Sequence, residues 1–577
     1  MKKIELTPNA LTIAQKRYFM EGEDWDKCIE RVSSVVSVCE DHRLRDKIKG
    51  DFYDMIYNQL FLPGGRILRN CGRPRGSLFN CYHLPIGDNI EQIGQLIKDS
   101  LILWSEGGGV GINFSPLRPK GDAILGKGGT SSGLVSFIEA ADAVSHTIES
   151  GGARRAAAIA HVDIAHPEVL DFIDAKLLHK KLSHFNISVS VNHEFLEAVE
   201  ANGNWTFKFK QKSYSTVKAR DIWNKIVENM ITCAEPGLIN WTNFYKNNSW
   251  YFAPICGTNP CGETVLEKYG VCDLGSLVLP NFIPEGGTNT NWKKLEQTIQ
   301  LAVRFLDNII EINKYTLKEI DISAHRSRRV GIGILGLAEY LFAKKVRYGS
   351  EKAVMEVERV MKFIRDTAYK ASVDLAIEKG AFPSFDPIQY GKSSFIRKLP
   401  ASLRMDIKKY GVRNCTLLAL APTGTISLLT QYSSGVEPLF SKAMLRKDKV
   451  GDRIYIHPIY EQLLENNEKV PEWFVDSFDL EPKDHFETQV AAQKFTDGAV
   501  SKTINLPKGS TTEELSDLLL EYIYDLKGVT VYVDGSREGQ ILNKLSTEDI
   551  KQYIKDKKIE REMNETDVQC ASGSCEI

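Results

Sequence analysis

The chain has 577 residues, 42% of them hydrophobic and 26% charged, with a formal net charge of -2. This length can bury a large core, as three or four domains or as one very large one. The near-neutral balance excludes a disordered chain and a broad basic surface for a nucleic-acid polymer. No apolar run reaches the roughly 18 residues of a membrane span, and Met1-Lys2-Lys3-Ile4 leads into no apolar signal core, so the expected address is the cytoplasm, with no membrane partner.

The first sixty or so residues carry helical periodicity, with breaks expected at Gly22 and Gly50, and end at the turn signal Phe61-Leu62-Pro63-Gly64-Gly65. Residues 1–75 are therefore read as an N-terminal helical region. From there to about residue 545, strand-like runs such as 186–191 alternate with helical patterns such as 295–313, which predicts one large α/β domain over 76–545. Residues 546–577 turn charged and polar and read as a mobile tail that carries Cys570 and Cys575 near its end.

The 11 cysteines form no disulfide framework in a chain this long, and an odd count fits free thiols in a reducing compartment. Cys28 and Cys39 fall in the N-terminal helices, and Cys233, at the end of an apolar stretch, reads as a buried, inert thiol. Two thiols on a tail that can travel suit thiol–disulfide exchange.

Several glycine-rich stretches invite a ligand. Gly331-Ile332-Gly333-Ile334-Leu335-Gly336 has dinucleotide-binding spacing but follows Arg326-Ser327-Arg328-Arg329-Val330 rather than an apolar strand, so close helix packing is the better reading and a Rossmann domain is rejected. Residues 107–111 form a glycine loop feeding a strand, and Arg154 and Arg155 place two fixed charges on a loop suited to phosphate or base contacts. Ala421-Pro422-Thr423-Gly424-Thr425-Ile426-Ser427 follows an apolar run and offers hydroxyls and backbone N–H groups to a phosphate at a helix N-terminus. It lacks the lysine of a phosphoryl-transfer loop, so phosphate serves as a handle.

Asn259, Cys261 and Glu263 alternate, and in an extended segment all three project to one side. Taken alone, the segment is equally compatible with a structural turn holding a satisfied Asn and a buried Cys. Asn259-Pro260-Cys261-Gly262-Glu263 followed by Cys272-Asp273-Leu274-Gly275-Ser276 resembles the finger-loop region of ribonucleotide reductases. Further motifs stand in family order: Asn80-Cys81, residues 107–119, 151–156, 186–191, 421–427 with 435–438, and 501–507.

The resemblance implies a ten-stranded α/β barrel of two antiparallel five-stranded halves, with the loop bearing Cys261 at its centre. It implies that Cys261 carries the thiyl radical, that Glu263 is the general base, that Asn259 holds the ribose hydroxyls, and that Cys81 and Cys272 are the reducing pair. Cys570 and Cys575 would recharge that pair and be recharged by thioredoxin or glutaredoxin. Thr423, Gly424, Thr425 and Ser427 would hold the substrate phosphates. Asp88 and Arg118 would meet a dNTP or ATP specificity effector, and Arg154 and Arg155 would relay effector identity, which implies a homodimer. No ATP-cone start is found, so a dATP off-switch is expected to be missing.

Within the family, the absence of a C-terminal glycyl-radical segment and the segments 260–263, 422–427 and 526–532 with Ser536-Arg537 look like the adenosylcobalamin-dependent class II, with ribonucleoside diphosphates as the expected substrates. The alternative is a class I large subunit that draws its radical from a separate metal-containing subunit. It keeps support from the tail cysteines and from Tyr522 and Tyr524, although these two are not adjacent and core packing explains them better. Outside the family stand a redox-sensing nucleotide-binding regulator and a zinc-stabilised interaction protein using Cys256, Cys261 and Cys272, the latter short of a fourth ligand.

Overall fold

The computed structural model describes residues 5–124, 126, 128–150, 154–155, 157–179, 182–247, 249–448, 451–533, 542–545, 548–550 and 552–553. In the helix Trp25–Val36, Asp24 caps the N-terminus by accepting the Lys27 N–H, and Trp25, Cys28, Ile29, Val32 and Val36 bury one stripe. The next helix, Arg45–Tyr57, runs through Gly50 without the expected break. A helical glycine costs about 1 kcal/mol, and here the buried side formed by Ile48, Phe52, Met55 and Ile56 outweighs it. The expected turn at residues 61–65 is instead a strand, β1 (Phe61–Pro63), leading into the helix Gly65–Asn70.

Ten strands form one mixed sheet. After β1 come β2 (Cys81–Leu84), β3 (Gly109–Asn113), β4 (Ala158–Asp163), β5 (Phe185–Val191), β6 (Gly237–Asn240), β7 (Val271–Val278), β8 (Val330–Leu335), β9 (Thr503–Leu506) and β10 (Gly528–Val533). Strands β2 to β6 run parallel in sequence order, as crossover helices require. The pairs β7/β8 and β9/β10 are also parallel, and the two sets meet antiparallel at β2/β7 and at β6/β10. This is the expected pair of antiparallel halves. β1 is an addition outside the two halves, paired to β7. The fifth member of the second half is residues 416–421, which joins β8 and the approach to β9 through isolated parallel bridges, Ile332 to Leu418 and Leu420 to Val500. The run Gly331 to Gly336 is thus the inner strand β8 and its exit, a correction to the helix-packing expectation. Gly331 and Gly333 lie against Cys272, Leu274 and Ala419, where a side chain would not fit.

Every residue of β7 is buried, as befits a strand covered on both faces. Outside lies the helix Trp292–Ile312, capped by Asn291 and burying Leu295, Ile299, Val303, Leu306 and Ile310. Inside lies a β-hairpin with arms Gly257–Thr258 and Val265–Leu266. Among the described residues no helix is long and apolar enough to cross a membrane.

Gly109 and Gly111 make room for this hairpin, and the strand begins within the glycine run rather than after it. A Cβ on Gly109 would come 2.8 Å from the Pro260 ring, and one on Gly111 would come 1.7 Å from the Thr258 carbonyl oxygen. The Gly111→Ala variant is expected to lose about 1–3 kcal/mol or more through overpacking, read as a lower urea midpoint. An unchanged midpoint would show that the hairpin does not press on β3.

Candidate active site

The hairpin tip is a closed turn. The Asn259 backbone N–H donates to the Thr264 carbonyl at 3.1 Å, its Oδ1 accepts the Thr264 N–H at 2.9 Å, and its carbonyl accepts the Gly262 N–H at 3.0 Å. Gly262 has φ of +76°, a left-handed conformation that glycine adopts without strain. The expected extended segment is therefore corrected. Extended backbone would spread Asn259, Cys261 and Glu263 over roughly 13 Å. The turn instead folds Asn259 and Glu263 inward, at 0% and 1% exposure, and leaves Cys261 exposed at the tip.

Beneath the tip, β2 and β7 pair antiparallel with Cys81 opposite Cys272. The His83 N–H donates to the Gly270 carbonyl at 3.0 Å, so two residues along the ladder Cys81 and Cys272 also form a hydrogen-bonded pair. Such pairs hold Cα atoms about 5.5 Å apart, within the span of a disulfide. Both are free thiols, 6% and 0% exposed. Asn259 Nδ2 donates to Cys81 Sγ at 3.2 Å, and that thiol points to Glu263 Oε1 at 3.8 Å. Burial pushes both thiols well up from their ordinary value, reinforced by the Glu263 carboxylate at Cys81 and by Asp273 at Cys272. Both therefore hold their protons. Burial also raises Glu263, against the lowering hydrogen bond from Asn259, which brings this carboxyl towards the range of a useful general base.

A cavity of about 300 Å³ opens over these groups, lined by Cys81, Asn259, Cys261 and Glu263 and by residues 421–426. Thr423 sits at φ of +54° and its Oγ1 accepts the Gly435 N–H at 2.8 Å. Thr423, Gly424 and Thr425 face the cavity. Ser427 does not: it is 1% exposed and its hydroxyl pairs with Ser434 at 3.0 Å. The turn leads into the single 3-10 turn Ser427–Leu429 rather than a full helix, so the expected helix N-terminus contributes little and the phosphate handle rests on the turn itself.

Asp88 and Arg118 form one ion pair, in which the carboxylate accepts the Arg118 backbone N–H and Nε, each at 3.0 Å, and also Lys210 Nζ at 3.3 Å. Burial would raise Asp88, but these donors hold it below its ordinary value. Arg154–Arg155 is not a plain loop: it pairs antiparallel with Glu149–Ser150, and Ala157, two residues on, lines the cavity. The tail thiols Cys570 and Cys575, and Ser536 and Arg537, lie outside the described residues. Cys28 is buried and Cys39 exposed, and Cys233 is only half-buried, a correction that follows from its place in the last turn of the helix Ala219–Cys233. No group of three or more His, Cys, Asp or Glu side chains able to hold a metal ion stands together among the described residues.

Sequence reasoning missed two contributions. Arg17, Tyr18, Arg66 and Arg69 of the N-terminal region line the same cavity; the signal was the Pro63-Gly64-Gly65 step that turns this region onto β7. The other is the buried pair of Glu267 with Arg329, 2.8 Å apart. Its signal was an arginine set two residues before the glycine of an inner strand.

The site thus defines a thiol-dependent oxidoreductase, in which a hairpin brings one cysteine to a cavity backed by two others. Residues 79–533 match the ribonucleotide reductase barrel domain, and residues 4–76 match the ribonucleotide reductase all-alpha domain. The vitamin B12-dependent ribonucleoside-diphosphate reductase of Mycobacterium tuberculosis (strain CDC 1551 / Oshkosh) is 31% identical, over 100% of this chain and 85% of its own length. The vitamin B12-dependent ribonucleoside-diphosphate reductase of Thermoplasma acidophilum is 34% identical, over 85% of this chain and 66% of its own. A ribonucleoside-diphosphate reductase subunit alpha from Chlamydia muridarum is 26% identical, over 74% of this chain and 46% of its own. The chain belongs to the ribonucleotide reductase family.

Next to Cys272, Asp273 is fully buried, and neither carboxyl oxygen has a hydrogen-bond partner among the described residues. Burial raises it well above the carboxylate range, with Asp307 adding and Arg328 opposing. A folded-state pKa raised above the unfolded one gives stability that is fully present below the unfolded value and is lost as pH rises through the folded value. Asp273→Asn should remove that loss, so its denaturation midpoint should hold at pH values where the parent chain weakens. Equal pH slopes in the two proteins would refute this.

Proposed function

We propose that this chain is a catalytic subunit that reduces ribonucleoside diphosphates to 2′-deoxyribonucleotides by thiyl-radical chemistry with adenosylcobalamin, for DNA precursor synthesis. The observation that carries the reading is the register of Cys81 opposite Cys272 directly beneath the hairpin that bears Cys261. On this reading the Cys261 radical takes the hydrogen from the 3′ carbon while Glu263 takes the 3′-hydroxyl proton. The 2′-hydroxyl leaves as water with a proton from the buried thiol pair. Cys81 and Cys272 supply two electrons and a second hydrogen, which takes the place of the hydroxyl on the 2′ carbon, as they close to a disulfide; Glu263 returns its proton to the 3′ oxygen, and Cys261 returns the hydrogen to the 3′ carbon and recovers the radical. Asn259, tied to the turn and to Cys81, orients the ribose hydroxyls, and Thr423, Gly424 and Thr425 hold the phosphates, with Ser427 acting through Ser434 from behind the turn. Burial of both thiols and of Glu263 keeps water from the groups that move protons.

The chain offers adenosylcobalamin an accessible thiol with open space beside it. Cys261 is exposed, and a Cβ built at Gly262 or Gly424 would meet nothing within 4 Å. Cys261, Gly262, Pro422 and Gly424 would face the cofactor. When bound, it supplies one-electron chemistry at its cobalt–carbon bond. The names of the relatives from Mycobacterium and Thermoplasma support this source. The packing of the tyrosines weighs against a relay from a separate subunit: Tyr522 stacks on Phe486 at 5.1 Å and Tyr524 meets His193 edge-on at 4.9 Å, as framework aromatics do.

Asp88 with Arg118, and Arg154 with Arg155, belong in this reading to a dNTP or ATP specificity site in a cytoplasmic homodimer. The tail pair Cys570 and Cys575 passes electrons from thioredoxin or glutaredoxin. The test is an anaerobic assay of the purified chain with CDP, dithiothreitol and a panel of effectors, with and without adenosylcobalamin. Deoxycytidine diphosphate is expected only when the cofactor is present; turnover without it, or turnover only on adding a metalloprotein, would overturn the cobalamin assignment. In the same assay Glu263→Gln is expected to lower turnover by about 10²–10⁴, and a variant with full activity would remove Glu263 from the mechanism.

A further inference from the structure

Arg329 stands one residue before β8, and β8 runs parallel to β7 with Val330 beside Asp273. The register therefore sets Arg329 alongside Cys272. Alternation along the strand puts Arg329 on the same face as Gly331, whose Cβ position lies 3.1 Å from Cys272 Sγ. The guanidinium is 2% exposed. Its Nη2 pairs with Glu267 Oε2 at 2.8 Å, and its Nε and Nη1 have no acceptor among the described residues. Glu267 Oε1 is taken by the Ser323 hydroxyl at 2.8 Å. A buried cation with unfilled donors is costly, and here it stands beside a thiol on the inner face of the barrel.

The two members of the reducing pair differ in access. Cys81 lines the cavity, whereas Cys272 is fully buried and does not. An attacking thiolate that enters by the cavity meets Cys81 first.

We propose that Arg329 makes Cys272 the leaving thiolate when the Cys81–Cys272 disulfide is reduced, so that the incoming thiolate attacks Cys81. The inference rests on the reductase reading above. The incoming sulfur bonds to Cys81 Sγ, the Cys81–Cys272 bond breaks, and its electron pair stays on Cys272 against the guanidinium. The second thiolate of the reductant then attacks the first, releasing Cys81; two electrons have entered the pair and the reductant is left as a disulfide. Exchange is faster when the departing sulfur is better stabilised as a thiolate. Charged and titratable groups around Cys272 and Arg329 are Glu263, Glu267, Asp273, Arg326 and Cys415. Among these, Arg329 is the cation that favours the Cys272 thiolate, opposed by Asp273 and Glu263. Arg329 is thus a positioning residue for electron entry, with no contact to substrate required.

The test uses the full chain with Cys570→Ser and Cys575→Ser, so that the tail cannot resolve intermediates. The Cys81–Cys272 pair is oxidised with diamide and treated with glutathione, and the mixture is acid-quenched, alkylated and mapped by peptide mass spectrometry. Glutathione on Cys81 with the alkyl label on Cys272 is expected; glutathione on Cys272 would overturn the proposal. Arg329→Gln should slow the exchange several-fold by making the departing Cys272 thiol less acidic, with the pH profile, set by the attacking glutathione thiol, unmoved, and with recovery in Arg329→Lys. An Arg329→Gln chain of unchanged denaturation midpoint that exchanges at the parent rate would also overturn it. If Arg329→Gln does not fold, the mapping in the chain that keeps Arg329 still decides. A pair that diamide cannot close into a disulfide would defeat the reductase reading itself, a result distinct from attack at the wrong sulfur.

Discussion

A two-residue hairpin arm passing flush against an inner strand governs much of this molecule. Thr258 lays its carbonyl where Gly111 would carry a side chain, and Gly257 does the same against the rings of His83 and His161. Backbone contact this close is open only to glycine, and it fixes how deep the tip bearing Cys261 sits relative to β2 and β7. The antiparallel seam between β2 and β7 then sets Cys81 opposite Cys272 at the floor of the same cavity. Cavity, tip thiol and buried thiol pair share one geometric origin.

Burial supplies the chemistry on that frame. Glu263 and Asp273 are raised and the two thiols hold their protons, while Glu267, which burial alone would raise, is kept below its ordinary value by Arg329, its own backbone and Ser323 together. Neighbouring acids are thus shifted in opposite directions within a few residues of chain. The arrangement suits a site that moves protons out of reach of water.

The N-terminal helices are part of this site as well as of the core. Arg17, Tyr18 and Arg66 reach the cavity because β1 attaches their region to the outer edge of β7. Nothing in the local pattern of these helices announces that role, since a helix with one buried stripe can pack on many surfaces. The Gly50 and Gly331 readings went astray for a related reason. Local glycine signals predict breaks and turns, whereas packing of Phe52 and Met55 in one case and of Cys272 in the other decided the conformation.

By itself the sequence determined the inventory and its order: an amide, a thiol and a carboxyl within five residues, two further cysteines, a hydroxyl-rich turn, glycines where backbone approaches backbone, and the alternation of strand and helix. Those are local properties of residue type and spacing. Tertiary structure alone decided that Asn259 and Glu263 turn inward while Cys261 faces out, that Ser427 turns away from the cavity, that Asp88 is closed on Arg118, and that Arg329 stands beside Cys272. Each depends on the register of strands distant in sequence or on a turn closed by its own hydrogen bonds. A one-residue slip would carry Cys272 to the opposite face of β7, and only the packing of the whole barrel forbids it.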